Sequence, residues 1–204
     1  MGVYKWLQKY GRIINVYIDQ LEPELSQVWN ADEMKVRCGG KWLWLWNVMD
    51  KNTRYLLATH VSENREASDA RIAFIKAKKI AKEKPEVVIT DGLHSYIEAF
   101  KKEFFTLRNP RTKHIAKAGI RARTNNNIIE RLHGTIRERD KVMRGLKTER
   151  TAKTMTEGYR AYYNFIRPHQ ALNGKTPAEK AHIGLELGNN RWLSLIKEST
   201  TQKR

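Results

Sequence analysis

The sequence predicts an α/β domain built on a mixed, five-stranded sheet with helices on both faces. From Gln27 to Val61 apolar residues recur at period two, which is typical of antiparallel strands. From Glu66 onward, helical periodicity alternates with short β-branched runs, which is typical of helices that connect parallel strands. The length of 204 residues suits one such domain with helical extensions.

The charge of the chain predicts a polyanionic partner. The formal net charge is +17, and residues 101–170 alone hold 18 Lys or Arg against 6 Asp or Glu. Phosphates neutralised by such a surface release counterions, which adds affinity whatever the base sequence. Nucleic acid is therefore the expected partner, although charge alone names no reaction. The single cysteine, Cys38, excludes an internal disulfide framework and a structural zinc site built on several thiolates of one chain.

The first element along the chain is an amphipathic helix. Its apolar side chains are spaced by three or four residues: Trp6, Tyr10, Ile13, Tyr17 and Leu21. We interpret residues 1–26 as a packing or dimer-forming helix. No apolar run approaches the roughly 20 residues that a membrane span needs, and we expect a cytoplasmic protein.

Three antiparallel strands follow, joined by turns at residues 38–40 and 50–53. The second strand carries tryptophans at positions 42, 44 and 46. Such a stripe could stack on bases, but beside a leucine stripe at strand spacing it is more often part of the core of a sheet.

Helices and strands then alternate to the end of the domain. Helical spacing is visible at residues 66–84 and 93–105, and two further long helices are predicted at 126–147 and 150–166. A β-branched run at 86–90 predicts a buried strand, and a second short strand is expected at 112–118.

Three carboxylates are expected to meet in this topology. Asp32 lies midway along the first strand, Asp91 follows the fourth strand, and Glu130 begins a helix that leans across the sheet. If strands one and four are neighbours, these groups converge at one end of the sheet, where open α/β sheets bind ligands. They could be neutralised by arginines, or they could hold two Mg²⁺ ions for displacement at phosphorus. Glu33 is expected on the opposite face, because successive side chains of a strand alternate.

The helix that carries Glu130 also presents a basic row. At 100° per residue, Glu130 shares a stripe with basic side chains that we expect to face solvent and bind DNA, a set that Lys147 extends: His133, Arg137, Lys141 and Arg144. The plainer interpretation is a solvated helix whose acid is paired with basic neighbours by ordinary i, i+4 spacing.

Four motifs in order resemble a known family. They are WNADEMKV with the following Gly-Lys-Trp (29–42), VVITDGLHSY (87–96), NNIIERLHGTIRERDKVMRGLK (126–147) and YYNFIRPHQALNGKTPAE (162–179). They are similar to insertion-sequence transposases of the DDE type, most of all the insertion sequence six family. The resemblance implies the ribonuclease-H-like fold of retroviral integrases for residues 27–180, and it makes Trp42 a core residue.

By position, the resemblance implies that Asp32, Asp91 and Glu130 are the catalytic, metal-binding triad. Members of the family use two Mg²⁺ ions, for which Mn²⁺ substitutes, to hydrolyse a phosphodiester at the end of the element. The same site then joins the freed 3′-hydroxyl to target DNA, and the enzymes act as dimers or higher multimers. The Tyr162-Tyr163-Asn164 and Arg167-Pro168-His169 motifs also recur in the family, and we interpret them as structural rather than as DNA contacts.

The resemblance also shapes the expected domain organisation. Members of the family usually carry a helix-turn-helix module before the helix that opens this chain, so residues 1–26 are interpreted as a remnant of it or a linker to it. Residues 181–204 are expected to form a C-terminal tail. We expect a prokaryotic, nucleoid-associated protein. Two alternatives stay open: a non-catalytic DNA-binding remnant of a transposase, and a ribonuclease-H-like nuclease that only hydrolyses.

Overall fold

The computed structural model describes residues 2–107, 111–116, 126–142 and 146–201. Five strands and seven α-helices are formed there. The strands are β1 (Val28–Cys38), β2 (Lys41–Asp50), β3 (Leu56–Ser62), β4 (Val87–Thr90) and β5 (Lys113–Ala116). The helices are α1 (Val3–Ile18), α2 (Ala67–Ala81), α3 (His94–Phe104), α4 (Asn127–Val142), α5 (Glu149–Ala161), α6 (Pro177–Lys180) and α7 (Arg191–Thr201).

The strands form one mixed sheet in the order β3-β2-β1-β4-β5. The hairpin pairs β1–β2 and β2–β3 are antiparallel, whereas β4 runs parallel to both β1 and β5. This is the predicted five-stranded mixed sheet, because an antiparallel meander is followed by strands that helices connect. Strands β1 and β4 are neighbours, which is the condition under which Asp32 and Asp91 were expected to converge.

Alternation along β1 divides the core between the two faces of the sheet. Trp29 and Ala31 pack with α2 and α3 on one face, and Met34 and Val36 pack with α4 on the other. The alternation also decides which helix each polar side chain of β1 meets, because successive side chains point to opposite faces.

All five predicted helices are formed, although their ends differ, and α6 and α7 are two further helices that the sequence did not predict. Helix α2 ends at Ala81, because Lys82 adopts a left-handed conformation with a φ of 58°. Helix α4 ends at Val142 within the described residues, and positions 143–145 of the predicted helix 126–147 lie outside them. After α5 the chain continues as a π-helical turn from Tyr162 to Ile166, a region predicted as plain helix.

Two expectations about packing change. Trp42, expected in the core, is 55% exposed, because it lies near the hairpin tip and its ring contacts the Arg37 guanidinium instead. The segment 181–204, expected as a tail, includes α7, whose Leu195 is buried in the main core cluster. Helix α1 is amphipathic as predicted, and it buries Ile14, Tyr17 and Ile18. Among the described helices, none has the length and apolar character that crossing a membrane requires.

Candidate active site

The sheet register brings the first two predicted carboxylates together. Strands β1 and β4 pair in parallel with Asn30 opposite Ile89, so the same register continued sets Asp32 level with Asp91. Asp32 is still within β1, whereas Asp91 lies just past the end of β4 and is exposed. The two carboxylates thus meet where the parallel pairing stops, at the carboxyl end of β4.

Glu130 reaches the same region because Asn126 fixes the start of α4 to β1. The Asn126 Oδ1 atom accepts from Asn30 Nδ2 at 2.8 Å, and its Nδ2 atom donates to the Ala31 carbonyl at 3.3 Å. The Asn126 carbonyl in turn accepts from the backbone N–H groups of Ile129 and Glu130. This buried amide therefore anchors the first turn of α4 near Asp32. Glu130 is exposed on that turn; its charge acts on Asp32, but it is not among the carboxylates that lie within 4.8 Å of one another, which are Asp32, Glu33 and Asp91.

The pKa of Asp32 is affected by the other acidic side chains around it. Its pKa is raised from 3.8 to about 7, first by burial and then by the negative charges of Glu33, Asp91 and Glu130. A backbone hydrogen bond from Glu33 to Asp32 Oδ1 at 3.0 Å offsets only part of this effect. Like charges held together in a half-buried site disfavour ionisation unless a cation joins them.

Glu33 belongs to this cluster, contrary to the sequence-based expectation. It does leave β1 on the opposite face from Asp32, where Arg65 binds its carboxylate. Asp91, however, lies past the end of a strand, so both faces can reach it. Asp32, Glu33 and Asp91 each offer an oxygen, and these oxygens lie within 4.8 Å of one another.

His133 corrects a second expectation. It was placed on the solvent-facing row, but it is only 4% exposed and lies under the site. Its Nδ1 atom is 3.7 Å from Asp32 Oδ2, and its Nε2 atom is 3.2 Å from Asn47 Nδ2. Burial and the charge of Arg137 lower the pKa of His133 to about 4, so the ring is neutral at pH 7. A buried ring is not available to the surface that the rest of the row presents.

The remaining basic residues of the row lie on the surface. Arg137, Lys141 and Lys147 are exposed, and Lys141 pairs with Glu138 at 2.8 Å. Arg144 lies outside the described residues. Lys147 is held near the β1–β2 turn because Gly39 N–H donates to the Leu146 carbonyl at 2.7 Å.

Gly39 is required at that turn for two reasons. Its φ is +56°, and a Cβ atom there would lie 2.6 Å from the Lys147 carbonyl oxygen. The close approach also brings Arg37 beside Lys141 and Lys147 around a shallow pocket. Helical periodicity could not identify Arg37, because it lies on β1 and not on the helix that carries the basic row.

The donor set of the cluster fits a hard divalent cation. Carboxylate oxygens are the ligands that Mg²⁺ and Mn²⁺ prefer, and exposed Asp91 and Glu130 leave one side open for the oxygens of a substrate. The buried part is rigid, because Asn126, Asn47 and the strand pairing hold it. The arrangement can therefore support displacement at a phosphorus atom, the chemistry for which such ions are used.

Comparison with known families and proteins agrees with this geometry. The family model described as "DDE domain" (DDE_Tnp_IS240) matches residues 26–169. The transposase for the insertion sequence-like element IS431mec of Staphylococcus aureus is 26% identical over 183 residues, which are 90% of this chain and 79% of that protein. The transposase of IS257 in transposon Tn4003, also from Staphylococcus aureus, matches to the same extent.

Solved structures share the fold at low sequence identity. The HTLV-2 integrase catalytic core domain in complex with magnesium, in its dimeric form, superposes with a TM-score of 0.55 at 15% identity, covering 79% of this chain and 99% of that one. A chain of the simian T-cell lymphotropic virus intasome in complex with PP2A regulatory subunit B56 gamma superposes with a TM-score of 0.57 at 13% identity. The match covers 79% of this chain and 55% of the intasome chain. The mixed sheet with its helices is therefore the ribonuclease-H-like fold of integrase cores.

Proposed function

Because the chain belongs to the DDE transposases of the insertion sequence six family, we propose that it cleaves DNA strands and joins 3′-hydroxyl ends to DNA at Asp32, Asp91 and Glu130. The observation that supports this most is the meeting of Asp32 with Asp91, which have oxygens within 4.8 Å of each other, beside the start of the helix that carries Glu130. The sequence places 58 residues between the first two and 38 between the last two, so only folding brings them together.

The proposed cofactors are two Mg²⁺ ions, with Mn²⁺ able to replace them. When bound, such ions activate the attacking water or hydroxyl and stabilise the leaving oxygen of an in-line displacement. In this chain Asp32 would take part at the buried end of the site, since its carboxylate is the most enclosed of these three. Asp91 and Glu130 would close the site from the exposed side, where the DNA strand enters.

We propose that Arg137, Lys141 and Lys147 bind the phosphates of the DNA, with Arg37 beside them. The support is their exposure and their position on or next to the helix that carries Glu130. Arg144 is predicted to extend the same row. His133 is left out of this surface because its ring is buried. Phosphate contacts of this kind position a strand and carry no base specificity.

The proposed assembly is a homodimer or a higher multimer. An apolar groove of about 500 Å³ between α1, α4, α5 and α7 has Trp6 and Trp192 at its rim, both exposed. A second copy is the occupant we propose, because exposed apolar patches of this kind mark interfaces between proteins. We further propose that residues 27–180 form the catalytic domain and that the protein works in the cytoplasm at the nucleoid.

The test of the function is strand joining on a branched oligonucleotide with Mn²⁺, because such a substrate does not depend on recognition of an element end. Three proteins are compared: the unaltered chain, Glu130→Gln, and Glu138→Gln as a control. Glu138 lies on the same helix and is exposed, and its partner is Lys141 rather than the cluster. We expect joining to be lost in Glu130→Gln and kept in Glu138→Gln.

The other outcomes separate the alternatives. Full joining by Glu130→Gln would remove Glu130 from the site. Salt-dependent DNA binding without joining or cleavage in the unaltered chain would favour the non-catalytic remnant. Cleavage of DNA without any joining of a 3′-hydroxyl would favour the nuclease.

A further inference from the structure

We propose that Glu33 is a fourth carboxylate of the metal site and gives an oxygen to the cation that Asp32 and Asp91 hold. This inference rests on the proposed metal-dependent function and extends the ligand set beyond the triad. It concerns a residue that the alternation of β1 assigns to the far face of the sheet.

The first support is the geometry of the three oxygens. Asp32, Glu33 and Asp91 each have one within 4.8 Å of the others, a spacing that a single bound cation can span. Asp32 and Glu33 approach from opposite faces of β1, and Asp91 approaches from beyond β4. Ligands that approach from different directions can coordinate a cation placed between them.

The second support is that Arg65 binds only one of the two oxygens of the Glu33 carboxylate. Its Oε1 atom accepts from Arg65 Nε at 2.8 Å and also from Arg65 Nη2. Its Oε2 atom is buried and makes no hydrogen bond of ordinary geometry within the described parts of the chain, where the Tyr96 hydroxyl also interacts with this carboxylate. The side chain is only 1% exposed. A buried carboxylate oxygen left without a partner is costly, and a cation in the cluster would satisfy it.

Arg65 holds this carboxylate in place and does not replace the cation. Its guanidinium lies 4.6 Å from the centre of the Trp44 ring, and its backbone carbonyl accepts from Ser95 Oγ at 2.9 Å. These contacts fix Arg65 on the side of Glu33 away from Asp32. One arginine also balances only one of the three carboxylates, so the cluster stays acidic.

The test measures Mn²⁺ binding to the full chain in the absence of DNA, by the loss of the free Mn²⁺ signal in electron paramagnetic resonance. Glu33→Gln and Glu33→Asp are the test variants, and Asp91→Asn is the reference for loss of a ligand. Glu103→Gln is the matched control. Glu103 is also a buried glutamate bound by an arginine, Arg71, but it lies on α3 away from the cluster.

We expect Glu33→Gln and Glu33→Asp each to weaken Mn²⁺ binding by about tenfold or more, and Glu103→Gln to leave it unchanged. Aspartate keeps the charge but is one methylene too short to span the same gap. Unaltered affinity in both Glu33 variants would overturn the proposal, and so would a loss confined to Glu33→Gln, which would mean that only its charge matters. If Glu33→Gln does not fold, Glu33→Asp decides alone.

The reference variant separates this inference from the proposed function. If Asp91→Asn weakens Mn²⁺ binding and the Glu33 variants do not, the metal site stands and Glu33 is not part of it. If Asp91→Asn has no effect either, the metal site itself is wrong, and the inference fails with it.

Discussion

The Nδ1 atom of His133 lies 3.7 Å from the Oδ2 atom of Asp32, inside the sheet-facing side of α4. On the other side of the ring, Asn47 Nδ2 is 3.2 Å from Nε2 and 3.5 Å from the Leu45 carbonyl. The Leu45 contact orients the amide with its N–H₂ group toward the ring, so Nε2 accepts and Nδ1 carries the proton. His133 therefore presents an N–H group toward the Asp32 carboxylate, at a distance longer than that of a hydrogen bond.

Replacing His133 by Gln is expected to lower strand joining by roughly 10–100-fold with little change in DNA affinity. The reason is that Asp32 loses the buried N–H group nearest to its Oδ2 atom, while the proposed DNA-binding residues are unchanged. Strand-joining rates and DNA affinities measured for both proteins check that joining falls while DNA binding does not. A second readout is ¹⁵N chemical shifts of the ring, which should show an unprotonated Nε2. An Nε2-protonated ring, or joining at the normal rate in the variant, would contradict this role.

Arg137→Gln and Lys147→Gln are each expected to weaken DNA binding similarly on unrelated sequences. Each should lower the slope of log affinity against log salt by about one, because each exposed cation loses one phosphate contact. Lys79→Gln is the control, since Lys79 is exposed on α2, which packs on the opposite face of the sheet. An unchanged salt slope in either test variant would remove that residue from the DNA surface.

Asn164→Leu is expected to destabilise the fold by about 2–4 kcal/mol. Asn164 is fully buried in the π-helical turn, where its Oδ1 accepts from Leu56 N–H at 2.8 Å and its Nδ2 donates to the Leu56 carbonyl at 3.0 Å. Leucine leaves both backbone groups of β3 unpaired. Urea unfolding checks the loss, with the exposed Gln170→Ala as the control. A loss below about 0.5 kcal/mol would contradict the structural role given to this motif.

His169 is expected to make the protein less stable in acid. Burial, with the charge of Arg167 second, lowers its pKa from 6.5 to about 4. Between pH 6.5 and pH 4 this histidine is protonated in the unfolded chain but stays neutral in the folded chain. The free energy of unfolding is therefore highest above pH 6.5 and falls as the pH is lowered from 6.5 to 4. Between pH 7 and pH 4, the free energy of unfolding of His169→Gln should fall by about 1–3 kcal/mol less than that of the unaltered protein.

The control for this pH dependence is His94→Gln, because the His94 side chain is 80% exposed. Unfolding free energies of the three proteins, measured at pH 7, 5.5 and 4, give the comparison. Equal slopes for His169→Gln and the unaltered protein would contradict the assignment. The His169 ring is held by the Tyr163 ring, whose centre is 4.5 Å away, so the substitution also reports on this packing.

The fold could be predicted because its signals are local. Period-two alternation around Trp46 and the β-branched run before Asp91 depend only on neighbouring residues, and the structure confirms both strands. The convergence of Asp32 with Asp91 followed from the pairing of two strands. The end of α2 at Ala81 was missed, because the left-handed cap at Lys82 leaves no pattern in the sequence.

The inner part of the site could not be predicted because it depends on three-dimensional contacts. On a helical projection His133 lies about 60° from Glu130 but only about 40° from Ile129, so periodicity alone could assign it to either side. In the structure the His133 ring packs against Asn47 on β2, so it lies on the buried side of the helix. Glu33 was excluded by strand alternation, which holds within β1 and says nothing about a residue past the end of β4.

The most direct test of the central claim is the anomalous diffraction of Mn²⁺ in crystals of this chain. We predict anomalous peaks between the carboxylates, with Asp32, Asp91 and Glu130 as ligands and Glu33 contributing its Oε2 atom. Crystals of Asp32→Asn should lose these peaks under the same conditions. Crystals of the unaltered chain at millimolar Mn²⁺ with no peak at the cluster, or with Mn²⁺ bound only elsewhere, would contradict the account.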